Sequence, residues 1–128
     1  MTFGETKEFL RESVVAVILG NGISSHRLAF SLSARYGVCS ILCGERKNLL
    51  DAIDLRCGFL RMGLRECERL ALEQLLELAE EYSEYTLLLV AAEEQDRDFV
   101  RRHSDALESR YVLSDPDTFL GKFTILER

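Results

Sequence analysis

Apolar residues in this chain fall into short unbroken runs and longer stretches with a three- and four-residue beat, and the two kinds alternate. Residues 14–19, Val-Val-Ala-Val-Ile-Leu, are apolar without interruption and rich in β-branched side chains. A strand of that kind has both faces covered, which places it inside a parallel sheet flanked by helices. Residues 38–43 read as a second buried strand and 86–92 as a third. Between them the period changes. Leu28, Ala29, Leu32 and Tyr36 line one stripe of a helix that Ser24 or Ser25 can cap. Gly37 ends it, because glycine takes the left-handed cap conformation without strain. Over residues 66–82 the stripe is Cys67, Leu70, Ala71, Leu75, Leu78, Ala79 and Tyr82, with Glu68, Arg69, Glu73, Glu77 and Glu81 on a solvated opposite face. Residues 95–107 read as one helix carrying Phe99, His103 and Leu107 on its apolar side.

The weaker signals fit between these. Residues 47–55 predict a short helix, 58–62 an edge strand and 110–113 a last short strand. Asp115 caps a final helix over 115–128, with Pro116 at its first position, where a missing N–H costs nothing. Residues 1–12 read as a polar lead-in, for which Phe3, Phe9 and Leu10 are the candidate anchors. Strand and helix alternate with no internal repeat. The order predicts a single α/β domain over 1–128, a Rossmann-like three-layer αβα sandwich with a mainly parallel sheet. Residues 14–19, 38–43 and 86–92 stand at its centre, and the β-α-β crossover is expected to be right-handed.

Composition narrows the class. At 128 residues the chain supports one core. No apolar run approaches the roughly 20 residues that a spanning helix needs. The first dozen residues mix charges rather than form a leader, so the expectation is a cytoplasmic protein without membrane association. A net charge of −6 argues against a nucleic-acid partner, which requires a basic face. Cys39, Cys43, Cys57 and Cys67 form no C-x-x-C pair, and neither His26 nor His103 stands at ligand spacing. They are expected as buried, reduced thiols with no metal site.

Candidate chemistry concentrates after the first strand, at Gly20-Asn21-Gly22-Ile23-Ser24-Ser25. Glycines let backbone approach a ligand, and the helix that follows offers unpaired N–H groups and a positive dipole end, which favour a small anionic ligand. The pattern is G-x-G-x-x-S rather than the dinucleotide fingerprint G-x-G-x-x-G/A, and Glu45 stands where an acidic ribose-binding residue would be. Three outcomes are open: an anion or substrate contact, a dinucleotide site, or a tight turn that binds nothing. Glu93 and Glu94 follow the third buried strand, on the same sheet edge. They either meet a cation or proton there or simply open the next helix, where negative charge suits the dipole. No Ser-His-Asp or Cys-His order stands out and nothing resembles a G-x-x-x-x-G-K-[ST] loop, so no catalytic residue is assigned.

Together, Val-Ala-Val-Ile-Leu-Gly-Asn-Gly (15–22), Leu-Glu-Leu-Ala-Glu-Glu (76–81), Leu-Leu-Leu-Val-Ala-Ala-Glu-Glu (87–94) and Arg-Arg-His-Ser-Asp-Ala-Leu (101–107) resemble the N-terminal, pre-ATP-grasp domain of ATP-grasp ligases. The nearest likeness is to carbamoyl-phosphate-synthase-like and amino-acid-ligase members. Residues 111–123 resemble the lead into those enzymes' ATP-grasp domain, with Gly121 before Lys122 where an Asp commonly stands, and Glu93 where an Asp is common. The resemblance implies a non-catalytic domain that contributes its glycine turn and strand ends to an active cleft. It implies ATP and magnesium as cofactors of the full ligase, none in this domain alone. An ATP-grasp domain, in cis or in trans, or a second copy would be the partner. The alternative is a stand-alone nucleotide-binding or interaction module on the same scaffold.

Overall fold

The computed structural model describes residues 12–53, 57–63 and 66–114. Among these residues five strands, β1 (Val14–Leu19), β2 (Cys39–Gly44), β3 (Cys57–Arg61), β4 (Thr86–Ala91) and β5 (Val112–Ser114), form one sheet in the order β3-β2-β1-β4-β5. Every pairing is parallel. β1 lies in the middle, with Val17 opposite Ile41 on one side and Leu89 on the other. Its place follows from its composition, since Val15 to Leu19 are all buried and a strand apolar on both faces must be covered on both.

The helices are α1 (Ile23–Tyr36), α2 (Leu49–Ile53), α3 (Glu68–Glu81), α4 (Glu94–Arg102) and α5 (Ser104–Glu108). Alternation along β1 divides the interior into two cores. Ala16 and Ile18 pack with Leu28, Ala29 and Leu32 of α1. Val15, Val17 and Leu19 face the other way, onto Ala71, Leu75 and Leu78 of α3, Phe99 of α4 and Leu107 of α5. The result is the α/β, Rossmann-like three-layer arrangement. Tyr111 ties α3 to the approach of β5 by donating its hydroxyl to the Leu75 carbonyl at 2.6 Å.

Several local expectations need correction. Neither Ser24 nor Ser25 caps α1; Gly22 is the N-cap, and no side chain bonds there. The other end is as expected, with Gly37 left-handed at φ 69 and its N–H bonded within the last turn. Cys67 is the exposed N-cap of α3, and Leu70 is 55% exposed, so the buried stripe starts only at Ala71. The helix expected over 95–107 is two helices meeting at His103, where both His103 and Arg102 reach back to Glu68 of α3. Of the cysteines, Cys43 is buried, but Cys39 and Cys67 are exposed. Cys39 opens β2 at the sheet's far end, where strand pattern does not imply cover. The lead-in anchors Phe3, Phe9 and Leu10, and the helix expected from Asp115 and Pro116, lie outside the described residues. Among those that are described, no helix is long and apolar enough to cross a membrane.

Candidate ligand-binding crevice

The chain runs from β1 outward through β2 to β3, then returns to place β4 on the other side of β1. Loops leaving β1 and β4 therefore diverge, and the gap between them, at the carboxyl ends of the strands, is where open α/β sheets take their ligands. A crevice of about 410 Å³ lies there. Gly20, Asn21 and Gly22 form one wall, Gly44, Glu45 and Arg46 the next, and Glu93 and Asp96 a third, over a floor of Leu19, Cys43 and Met62.

The wall residues are held by backbone geometry. Gly20 has φ 100, a conformation that side chains disfavour, and its N–H donates to the Cys43 carbonyl at 2.7 Å. A β-carbon there would also come within 3.1 Å of Ser25 Oγ and 3.3 Å of Asp96 Oδ2. Asn21 locks the first wall to the second. Its Nδ2 donates to the Arg46 carbonyl at 2.7 Å, and Asn48 Nδ2 donates to the Asn21 carbonyl at 2.7 Å. Behind the second wall, Arg61 Nε donates to the Glu45 carbonyl at 3.3 Å. The mouth is thus cross-linked by side-chain amides rather than formed by one loop alone.

Of the residues singled out in the sequence, Gly20, Asn21, Gly22, Glu45 and Glu93 meet around this crevice. Ile23 is 66% exposed and Ser24 also faces out, so neither lines it. Ser25 is buried behind Gly20 instead, in the packing position that the third small residue of a G-x-G-x-x-G turn occupies. Glu94 is exposed at the start of α4 and does not line the crevice.

Two lining residues were not anticipated. Arg46 follows Glu45 directly and is the sole Lys or Arg among the described lining residues. Asp96 is 4% exposed. Its position, three residues after the N-cap Glu93, signals a favourable first-turn carboxylate. Nothing in the local pattern signals that it turns inward.

Three carboxylates against one guanidinium make the crevice acidic. The Cys43 thiol at its floor is no nucleophile: burial, with the Asp96 charge beside it, pushes its pKa up to about 12. The first turn of α1 carries no acidic residue of its own, but Glu93 Oε1 lies 3.6 Å from where a Gly22 β-carbon would be. A carboxylate of the chain therefore already stands beside that helix end. Among the described residues no group of three His, Cys, Asp or Glu gathers in a way that would hold a metal ion. In comparisons with known proteins, no family model, no curated protein and no solved structure matches the chain.

Proposed function

We propose that the chain is a small-molecule-binding domain with no catalytic group of its own, and that this crevice receives a nucleoside or related ribose-bearing ligand. One observation carries the reading: the Gly20–Gly22 turn after β1 and Glu45 after β2 line a single crevice at the point where strand order reverses. A carboxylate at the end of the second strand accepts hydrogen bonds from a vicinal diol, and the glycine turn lets the rest of the ligand approach backbone. Phosphate contributes less here than at an ordinary glycine turn. A helix N-terminus stabilises an anion by about 0.3–1 kcal/mol. A like charge about 4 Å away costs about 1 kcal/mol in water and about 4 at an effective dielectric of 20. Glu93 is exposed, toward the lower figure, and still offsets the dipole.

The expected result of calorimetric titration is that adenosine binds and that AMP, ATP and NAD bind no more tightly. Glu45→Gln should weaken adenosine at least tenfold, on the order of 1.4 kcal/mol. Gly22→Val should block the site while leaving the circular dichroism unchanged, because Gly22 has φ −80 and room for a β-carbon. Binding of adenosine that ignores both substitutions, or no binding at all, sinks the proposal.

A second reading uses the same crevice. Phosphoryl transfer needs a cationic clamp for the triphosphate, and Arg46 is the one cation among the described lining residues. That favours a domain whose ATP and magnesium are held elsewhere, as in an ATP-grasp carboxylate–amine ligase where this crevice would contact the amino or acyl substrate. A coding frame that runs on past Arg128 into ATP-grasp sequence would decide for it.

A further inference from the structure

Further along the same edge of the sheet, between β4 and β5, lies a second pocket of about 330 Å³. Its floor is apolar, made by Leu89 and Ala91 of β4, Leu113 of β5 and Val100 of α4. Its polar lining is of one kind. Arg97 and Arg101 stand one turn apart on α4, and Ser104 and Ser114 add hydroxyls. No acidic residue is among the described lining residues, although the chain carries a net charge of −6. Among the described residues the Arg97 guanidinium makes no hydrogen bond or ion pair. Arg101 pairs with Asp98 at 2.6 Å, but both side chains are largely exposed, at 69% and 47%. An exposed pair of that kind contributes little and is readily exchanged for a ligand.

We propose that this pocket binds a small organic anion, its oxyanion head held by Arg97 and Arg101 and its apolar body laid over Leu89, Ala91, Val100 and Leu113. Guanidinium groups present paired donors that match the two oxygens of a carboxylate or phosphate, and the serine hydroxyls donate to the remaining lone pairs. The apolar floor sets the second requirement. Each methylene removed from water raises affinity by about fourfold, so a six-carbon stem should outbind acetate by roughly tenfold or more even when only partly covered. The site is chemically opposite to the crevice beside it, where carboxylates outnumber cations. α4 supplies both, with Asp96 to the one and Arg97 to the other.

The test is a two-dimensional NMR titration of the full chain with hexanoate, hexyl phosphate, acetate and hexylamine. Hexanoate and hexyl phosphate are expected to shift amides of residues 97–104 and 112–114, with acetate at least tenfold weaker and hexylamine without effect there. Whichever of the two six-carbon anions binds more tightly identifies the head group. Arg97→Gln should weaken both at least tenfold, and Arg101→Gln, read separately in case one variant misfolds, should do the same. No shift at these residues from either anion overturns the proposal. So does undiminished binding by both folded variants, or equal binding of hexylamine.

Discussion

At Gly44 a β-carbon would stand 2.6 Å from Asn21 Cγ, and Asn21 is held in place by its bond to the Arg46 carbonyl. The nearest atom to a β-carbon at Gly22 is 3.6 Å away, in ordinary contact. The two glycines thus differ in kind, although both flank the same crevice. Gly44→Ala should destabilise by about 1–3 kcal/mol, the usual cost of overpacking. Gly22→Ala meets no clash and should cost less, about 0.5–1 kcal/mol, because alanine is a poorer cap for α1 than glycine. Urea denaturation of the two variants measures the contrast. The cause is checked by Asn21→Ala/Gly44→Ala, which should lose less stability than the two single changes added together, since one removes the atom that the other strikes. The sequence marks Gly20 and Gly22 through their motif and gives Gly44 no comparable signal. What makes Gly44 obligatory is a side chain 23 positions earlier folding back over it.

Between elements, Glu68 at the start of α3 joins two neighbouring side chains. It accepts from Arg102 Nε at 3.4 Å and again from the same guanidinium's Nη2, and it meets His103 Nε2 at 3.1 Å. The His103 ring in turn lies 4.8 Å from Phe99. Hydrogen bonds from Arg102, then from His103, hold the Glu68 carboxyl below its ordinary pKa of 4.5. A carboxyl depressed in the folded state contributes stability above its unfolded pKa and loses it as pH falls through the lowered folded value. Wild type should therefore melt above Glu68→Gln at pH 7, and the difference should close on acidification to about pH 2. Added salt should narrow it too, because the clamp is exposed. Thermal melts across pH read this directly, and a gap that stays constant would show that Glu68 acts through packing instead. Periodicity assigned Glu68 to a solvated face of α3, which describes Glu73 and Glu77 but not the first turn. There the neighbouring helix end supplies partners that no single-helix pattern contains.

For the whole molecule, the expected outcome is the absence of turnover. Purified chain incubated with ATP and magnesium should release no phosphate above background, because Arg46 is the one cation among the described residues that line the crevice, and phosphoryl transfer needs a preorganised cationic clamp. Robust hydrolysis lost on Glu93→Gln would show an active site where a binding site is proposed. The same measurement, repeated with candidate amino and acyl substrates, bears equally on the ligase reading, which also assigns chemistry to domains other than this one.

Some of this architecture is decided within a few residues. The short apolar runs at 14–19 and 87–92, bounded by turn residues, read as covered strands, and Gly37 stops α1 by its own conformational freedom. Such features depend on local sterics and on which faces must leave water, so they are readable from order alone. So was the meeting of Gly20, Gly22, Glu45 and Glu93 at one sheet edge, since all four follow strands that run the same way. The inward turn of Asp96, the burial of Ser25, the exposure of Cys39 and the anion-matched pocket of Arg97 and Arg101 were not readable. Each depends on which strand lies beside which and on how a helix end seats against a loop far away in the chain. Those relations are set by long-range packing, and short-range pattern carries no record of them.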